Sequence, residues 1–270
     1  MTTEQIILNE EADWVVFVHG AGGSSRTWRK QIEAFRPHFN ILLLDLRDHG
    51  DSQNMVPPKD GRYDLRLMGQ DVVDTLRALE IPRAHFVGVS MGSIVVRWIE
   101  RLDPEMVISV VLAGGVFRLN YKMKVLLFAG YYASKILPFG LLYRIMAWIV
   151  LPRQNHRQSR KIFVRESRKI DPRAYLKWLG MVRTVGTELQ TFFNQPITVP
   201  TLITMGSQDH VFLGPARQYH ANFPAQSTLE IIPGVGHVCN IEAADQFNRR
   251  ALEFLSDHRQ SRSVYLATAQ

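Results

Sequence analysis

The sequence predicts an α/β protein whose central sheet is mostly parallel and flanked by helices. Two observations support this class. Short apolar runs rich in β-branched residues alternate along the chain with longer amphipathic segments, which is typical of parallel sheets. The chain has 270 residues, of which 46% are hydrophobic, so it can bury a large core, and α/β folds of this size often form one domain.

The predicted elements follow one another in a regular order. Strands are expected near residues 5–9, 14–18, 41–45, 84–89, 107–112, 201–205 and 228–232. Helices are expected near residues 26–36, 65–79, 91–102, 214–222 and 242–257, and Asp64 is a suitable N-cap for the second of them. Between about residues 116 and 195 the alternation stops and only helical segments are evident. One helical insertion is therefore expected between two strands of the sheet.

A serine lies where the predicted strand 84–89 turns into a helix. The run Val87-Gly88-Val89-Ser90-Met91-Gly92 ends that strand, and helical spacing continues beyond it. A sharp turn of this kind crowds the backbone, and residues without a Cβ two positions before and after the serine relieve the crowding. The pattern G-x-S-x-G is typical of the nucleophile elbow. Because serine alone is a weak nucleophile, a base and an orienting acid are also required.

Both required partners follow predicted strands, where parallel sheets collect their functional side chains. Asp209 and His237 come after Ser90 in the order expected for this elbow. In this interpretation His237 takes the proton from Ser90, and Asp209 fixes the tautomer of the imidazole. Two other carboxylates, Asp245 and Glu242, are close to His237 in sequence. Glu242 falls at a predicted helix start, where a carboxylate satisfies free N–H groups, so we interpret it as structural.

An oxyanion needs a pair of backbone N–H donors. Met91 follows the serine at a helix N-terminus and supplies one of them. The other is expected in the glycine-rich loop 19–23, which follows the predicted strand 14–18. We assign this second donor to Ala21, with Gly22 as the alternative.

Four motifs, which run in order from residue 14 to residue 242, resemble the α/β-hydrolase fold of small single-domain esterase-like and lipase-like serine hydrolases. They are His19-Gly20-x-x-Gly23 followed by Trp28, the run Asp45-Leu46-Arg47-Asp48-His49-Gly50-Asp51-Ser52, Gly88-x-Ser90-x-Gly92, and Gly236-His237. The family pattern usually has glycine where Asp48 stands and often has proline where Ala244 stands. Asp48 lies in a loop near the expected site, where it either alters substrate access or faces water.

The resemblance implies hydrolysis of a carboxylic ester or a related acyl bond of a small molecule, through an acyl-enzyme and with no cofactor. The same triad also serves C–C bond hydrolases, lactonases and cofactor-free perhydrolases, and sequence alone does not separate them. A slow-turnover ligand receptor or signalling protein built on this fold is a further alternative. The sequence does not indicate an oligomeric state.

The resemblance also implies a lid, inserted after the sixth strand in the family's own count. Residues 1–115 and 196–258 would then form the core, 116–195 a helical cap, and 259–270 a frayed tail. The first half of the cap is strongly apolar, but charged residues, proline and glycine interrupt it before a membrane span accumulates. We expect its inner wall to accept an acyl or aromatic group through Leu126, Leu127, Tyr131, Leu142 and Met146.

The second half of the predicted cap is basic and accounts for much of the net charge of +7. A solvated helix face is the default interpretation, and weak attraction to an anionic surface or substrate is the alternative. No nucleic-acid motif accompanies these residues, so nucleic acid is not an expected partner. The basic residues are Arg153, Arg157, Arg160, Lys161, Arg165, Arg168, Lys169, Arg173 and Lys177.

The remaining polar candidates receive structural interpretations. His19 and His49 are read as loop histidines that bind backbone near the site, and Asp45 and Arg47 as residues that shape the loop. Cys239 is read as a small apolar filler. No metal-ligand spacing or dinucleotide fingerprint is present, so no metal or cofactor is expected.

The cellular compartment is predicted from two features. A single cysteine excludes an internal disulfide, which fits a reducing compartment. The first residues have neither the basic region nor the apolar core of a signal peptide. The sequence therefore predicts a cytoplasmic protein.

Overall fold

The computed structural model describes residues 1–53, 55–58, 60–168, 178 and 180–259. Its seven-stranded sheet has the order β1-β3-β2-β4-β5-β6-β7. Strand β1 is antiparallel to β3, and the other neighbours are parallel. The predicted fold class, a mostly parallel sheet flanked by helices, is confirmed. The strands are β1 Thr3–Ile6, β2 Trp14–Val18, β3 Asn40–Leu44, β4 Ala84–Val89, β5 Val107–Ala113, β6 Thr201–Gly206 and β7 Ser227–Ile232.

Helices follow most of the strands. They are α1 Arg29–Phe35, α2 Leu65–Ala78, α3 Met91–Leu102, α4 Tyr121–Ala133, α5 Phe139–Val150, α6 Arg157–Ser167, α7 Val185–Phe193, α8 Leu213–Asn222, α9 Cys239–Glu242 and α10 Ala244–Asp257. Short 3₁₀ turns occupy Ser25–Trp28, Pro104–Met106, Gln154–His156 and Gly180–Arg183. Asp64 caps α2 as predicted, because its carboxylate accepts a hydrogen bond from the Leu67 N–H at 2.8 Å.

Three predicted boundaries were wrong. The first strand was expected at 5–9 but spans Thr3–Ile6, because the Asn40 side chain takes the next backbone N–H groups, Leu8 at 2.7 Å and Asn9 at 3.3 Å. The helix expected at 26–36 begins as a 3₁₀ turn and becomes α-helical only at Arg29. The helix expected at 242–257 is two helices, α9 and α10, which meet at Ala243.

The sheet is buried on both faces, as expected for parallel strands. Along β2, Val16 packs on the face that α2 and α3 cover, and Val15 packs on the face that α1 and α10 cover. The carboxyl ends of the parallel strands therefore meet at one edge between two layers of helices. This edge is where the candidate side chains lie.

A helical segment separates β5 from β6, and no strand occurs in the part of it that the structure describes. In this chain it follows the fifth of seven strands. Helices α4 to α7 and two 3₁₀ turns occupy the described part of the segment. Among the described residues, no helix is both long enough and apolar enough to cross a membrane. Three of the basic residues singled out above, Lys169, Arg173 and Lys177, lie outside the described residues, as does the predicted tail beyond Arg259.

Candidate active site

Ser90 sits on a strained turn between β4 and α3. Its φ is +53°, a region that residues other than glycine rarely adopt. A Cβ placed on Gly92 would lie 2.2 Å from the Val18 carbonyl oxygen, and one on Gly88 would lie 2.7 Å from the Gly92 carbonyl oxygen. Glycine is therefore required on both sides of the serine. The turn presents the Ser90 hydroxyl at the carboxyl edge of the sheet, as the spacing predicts.

His237 and Asp209 meet Ser90 in a hydrogen-bonded chain. His237 Nε2 lies 2.9 Å from Ser90 Oγ, and its Nδ1 lies 2.8 Å from Asp209 Oδ2. The imidazole is buried and its ring centre is 4.9 Å from that of Phe212. Because β6 and β7 are neighbours, the loops that follow them bring Asp209 and His237 together. His237 is therefore within hydrogen-bonding distance of both Ser90 and Asp209.

The Asp209 carboxylate is held in its ionised form. Burial raises the pKa of this carboxyl, but the charge and hydrogen bond of His237, together with the backbone N–H groups of Phe212 and Val211, outweigh burial and hold the pKa below its ordinary value. Asp209 Oδ1 accepts from those two N–H groups at 2.9 and 3.1 Å. The carboxylate is thus fixed on one side by backbone, and its other oxygen is free to orient the imidazole.

Glu242 supports the loop around His237 and does not touch the imidazole in any hydrogen bond of the described residues. Its carboxylate accepts from the N–H of Gly236 at 2.9 Å and from the N–H of Val238 at 3.3 Å. The expected structural role agrees with these hydrogen bonds, and only the helix differs, because Glu242 lies in the single turn of α9 and not at the start of the long helix. Asp245 lies exposed in the first turn of α10.

The glycine-rich loop after β2 forms a tight turn beside the serine. The Gly23 N–H donates to the Gly20 carbonyl at 3.0 Å, and Gly22 has a φ of +69° that the turn needs. His19 braces this turn: its Nδ1 donates to the Gly20 carbonyl at 2.8 Å, and its Nε2 accepts from the Leu46 N–H at 3.0 Å. Burial lowers the pKa of His19 to about 3, so the imidazole stays neutral.

The two predicted oxyanion donors flank Ser90. Met91 is the first residue of α3, where a helix N–H has no intrahelical acceptor. Ala21 is the second residue of the Gly20–Gly23 turn and lines the same cavity as Ser90 and His237. His49, the other loop histidine of the sequence interpretation, donates from Nδ1 to the Arg47 carbonyl at 2.9 Å.

Tyr143 of α5 is a contact that sequence reasoning missed. Its hydroxyl donates to the Ala21 carbonyl at 2.5 Å, and its ring stacks on Phe163 at 4.6 Å between centres. A Cβ on Gly22 would lie 1.8 Å from that hydroxyl oxygen, so the helix packs tightly on the turn. The sequence does give one indication of this contact. Tyr143 lies in an otherwise apolar helix, and a tyrosine hydroxyl that becomes buried needs a hydrogen-bond partner.

Two cavities meet beside the serine. A narrow one of about 40 Å³ contains Ser90 and His237. A larger one of about 250 Å³ is lined mostly by apolar side chains and shares Ala21, Gly22 and Phe163 with the first. The larger cavity therefore lies next to the narrow one, on the side of α4 and α5. Its other lining residues include Met91, Leu126, Leu127, Leu142, Met146 and Trp178.

Four of the five predicted wall residues line the larger cavity, and Tyr131 does not. One helical turn after Leu126 the lining position on α4 is taken by Gly130. The Tyr131 ring instead packs against Tyr132, with 5.3 Å between ring centres, and has the Lys135 ammonium 5.3 Å from its centre. Its assignment to the wall is therefore corrected.

Asp48 connects the core to the helical segment. Its φ is +62°, which explains why the family pattern usually has glycine at this position. The buried carboxylate accepts a hydrogen bond from Trp178 Nε1 at 3.1 Å. Trp178 lines the larger cavity and packs edge-on against Tyr63, 5.2 Å between ring centres. Asp48 therefore positions one wall of that cavity.

We expect Asp48→Gly to weaken binding of an apolar ligand in the larger cavity by about tenfold, since it removes the charged acceptor that holds Trp178. Asp48→Asn keeps a side-chain acceptor and tolerates the positive φ, so it should retain the affinity. Trp178→Phe keeps an aromatic ring but loses the N–H, and it should behave as Asp48→Gly does. The measurement is the Kd of a neutral fluorescent probe, N-phenyl-1-naphthylamine. An unchanged Kd in Asp48→Gly and Trp178→Phe would show that this hydrogen bond does not shape the cavity.

The neighbouring residues have structural roles. Asp45 accepts from the Ser25 N–H at 2.6 Å and the Asp51 N–H at 2.7 Å, and Arg47 forms a two-pronged ion pair with Asp71 at 2.6 Å. Cys239 is buried with its sulfur 3.5 Å from Thr204 Oγ1, and burial raises the pKa of the thiol to about 11. Among the described residues, no cluster of three histidine, cysteine or acidic side chains could hold a metal ion.

The sheet order, the strained serine turn and the hydrogen-bonded Ser90, His237 and Asp209 define a class of α/β protein in which a serine hydroxyl is placed beside a base. The chain belongs to the alpha/beta hydrolase family, whose model matches residues 15–250. Its relatives support hydrolysis as the class of reaction.

Three of the similar proteins illustrate the range. A 3-oxoadipate enol-lactonase from Acinetobacter baylyi is 24% identical over 264 residues, which is 87% of this chain and 85% of that protein. A hydrolase from Pseudomonas aeruginosa is similar in structure with a TM-score of 0.78 and 24% identity, covering 94% of this chain and 93% of the other. An esterase from Exiguobacterium antarcticum has a TM-score of 0.78 and 19% identity, covering 94% of each chain.

Proposed function

We propose that this hydrolase cleaves a carboxylic ester of a small molecule through a Ser90–His237–Asp209 triad. The observation that carries the proposal is the continuous chain of hydrogen bonds, 2.9 Å from Ser90 Oγ to His237 Nε2 and 2.8 Å from His237 Nδ1 to Asp209. The direction of these hydrogen bonds is set by Asp209, because this carboxylate is ionised and accepts a hydrogen bond from His237 Nδ1–H. Nε2 is then the acceptor for the serine proton.

In the proposed reaction, Ser90 Oγ attacks the ester carbonyl as its proton moves to His237 Nε2. The carbonyl oxygen becomes an anion that the N–H groups of Met91 and Ala21 stabilise, each worth about 3 kcal/mol in the transition state. His237 then gives the proton to the departing alcohol oxygen and leaves an acyl-Ser90. A water molecule that loses its proton to His237 then attacks this acyl group. The bond between the acyl carbon and Ser90 Oγ breaks, His237 returns the proton to Oγ, and the carboxylic acid leaves.

The larger cavity supports an open-chain, apolar acyl group. It is lined by Leu126, Leu127, Leu142 and Met146, and it adjoins the narrow cavity that contains Ser90. The enol-lactonase relative keeps lactone hydrolysis as a second candidate on the same three residues. Perhydrolysis and C–C bond hydrolysis would use the same triad. An open-chain ester is favoured because the apolar cavity has room beyond the narrow space that contains Ser90.

We further propose that residues 116–195 form a cap over the site and that the protein works in the cytoplasm. Support for the cap comes from Tyr143, which binds the Ala21 carbonyl, and from Trp178, which binds Asp48. Support for a reducing compartment comes from Cys239, the single cysteine, which is a free thiol. The net charge of +7 is consistent with weak attraction to an anionic surface.

The proposed activity is tested with p-nitrophenyl esters from acetate to decanoate. We expect multiple turnover, with kcat/KM rising about fourfold per added carbon until the larger cavity is full, because a buried methylene is worth about 0.8 kcal/mol. Leu127→Trp should fill the cavity and move the optimum to shorter chains. Leu137→Trp, at an exposed position on the same segment that does not line the cavity, is the matched control.

Two results would contradict this proposal. A steady fall of kcat/KM from acetate upward would show that the larger cavity does not receive the acyl group. A single burst of product with no steady state would show a slow-turnover receptor that is acylated once and not an enzyme.

A further inference from the structure

We propose that the outer face of helices α4, α5 and α6 binds the surface of a phospholipid bilayer that carries anionic headgroups. This face combines an exposed apolar stripe with a cationic cleft. The proposed surface does not include Ser90, His237 or Asp209, so its test does not depend on the proposed reaction.

Helix α4 has large apolar side chains on its exposed side at helical spacing. Tyr121, Val125, Phe128 and Tyr132 follow at intervals of four, three and four residues and are all exposed, Tyr121 at 81%. Ile136, in the connection to α5, is 86% exposed. Soluble monomers seldom leave so many large apolar groups together in water, and such patches mark interaction surfaces.

Helix α5, which lines the larger cavity together with α4, also exposes large apolar side chains. Leu141, Ile145 and Trp148 are exposed on one side of it, and Trp148 is 57% exposed. Ile145 also lines the larger cavity, so the exposed apolar surface and the cavity share a wall. Trp148 connects these apolar side chains to the basic residues of α6, because the Arg160 guanidinium lies 3.8 Å from the centre of the Trp148 ring.

Helix α6 lines a cationic cleft of about 550 Å³ against α5. Arg157, Lys161, Arg165 and Arg168 follow one another at helical spacing and are exposed, and Arg144 of α5 lies across the cleft. Like charges one turn apart destabilise a helix that has no anionic partner. Of these five, only Arg165 has an ion pair among the described residues, with Glu166 at 3.2 Å. The cleft therefore offers several positive charges to an anion.

A bilayer fits both features better than a second copy of the chain does. Basic side chains beside exposed aromatic and aliphatic groups are the pattern of surfaces that lie at the membrane interface. In a two-fold contact through this face, a second copy would supply no exposed carboxylate for the cleft, because the one acidic residue of α4, α5 and α6 is Glu166, which is buried. An anionic bilayer instead supplies phosphate groups for the arginines and acyl chains for the apolar stripe.

The test is co-sedimentation of the full chain with vesicles of dialkyl ether phospholipids, which contain no ester to cleave. We expect binding to vesicles of equal parts phosphatidylcholine and phosphatidylglycerol, and binding weaker by about a hundredfold or more to phosphatidylcholine alone. Arg157→Gln with Lys161→Gln should weaken binding to the anionic vesicles about thirtyfold. Tyr132→Gln with Ile136→Gln should weaken binding to both kinds of vesicle.

Matched controls make the same kinds of substitution at exposed positions outside helices α4, α5 and α6. Arg217→Gln with Arg249→Gln lowers the net charge equally at exposed positions of α8 and α10, and Ile7→Gln with Val56→Gln removes equally exposed apolar groups. Both should bind as the unmodified chain does. The proposal is overturned if the unmodified chain binds neither kind of vesicle, or if the α6 pair and its control lose affinity equally. A dimer that Ile136→Gln dissociates, without vesicle binding, would identify the face as a contact between two copies.

Discussion

Ser90→Ala is expected to lower kcat/KM for ester hydrolysis by about 10⁴-fold or more, the scale seen when a triad nucleophile is removed. The change deletes the only atom of the residue that reaches His237 and leaves the backbone of the turn in place. Ser90 already holds a φ of +53°, and alanine is no more strained there than serine is. The melting temperature should therefore stay within a few degrees while activity disappears.

Covalent labelling gives a second measurement of the same residue. A fluorophosphonate should add the mass of one phosphonyl group to the unmodified chain and should not react with Ser90→Ala, as measured by mass spectrometry of the intact protein. Ser256→Ala, at an exposed position on α10, is the control and should retain both activity and labelling. Labelling that persists in Ser90→Ala would assign the nucleophile to another residue and overturn the proposed mechanism.

Asp209→Asn is expected to lower kcat by about 10⁴-fold, because it inverts the polarity of the hydrogen-bonded chain. The amide oxygen would stay with the N–H groups of Val211 and Phe212, which now bond to Asp209 Oδ1. The amide NH₂ would then face His237 Nδ1 and require a lone pair there. The imidazole proton would move to Nε2, which would donate to Ser90 where it must accept. The measurement is kcat with the fold checked by circular dichroism.

Two neighbouring carboxylates serve as controls for Asp209→Asn. Asp245→Asn changes an exposed side chain and should leave kcat unchanged. Glu242→Gln keeps one acceptor for the loop N–H groups of Gly236 and Val238, so a loss within about tenfold is expected. If Asp245→Asn proved the most damaging of the three changes, the third member of the triad would be wrongly assigned.

The predictable part of the site depends on local rules. Gly88 and Gly92 are required by contacts within the turn itself, so five consecutive residues are enough to indicate the serine. Asp209 and His237 could be predicted because each follows a strand, and the carboxyl ends of parallel strands lie at one edge of the sheet. A departure from the family pattern can also indicate backbone conformation. Asp48 stands where glycine is usual, and its φ is positive, which is the conformation that glycine favours.

The contacts made by the helical segment were beyond sequence reasoning. Tyr143 and Ala21 are 122 positions apart, and Trp178 and Asp48 are 130 positions apart. No periodicity specifies such pairs, because they depend on how a helix is rotated and placed on the core. The same limit explains the error at Tyr131, since an apolar helix with little amphipathicity does not indicate which side faces inward.

The reactivity of the Cys239 thiol can be used to measure local opening of the native protein. It is the only sulfhydryl in the chain, it begins the short helix two residues after His237, and burial raises the pKa of its thiol to about 11. A thiol reagent needs both access and the thiolate, and the closed structure denies both. Modification can proceed only in molecules where α9 has lifted from β6. The rate of modification therefore reports how often α9, which begins two residues after His237, opens in the unlabelled protein.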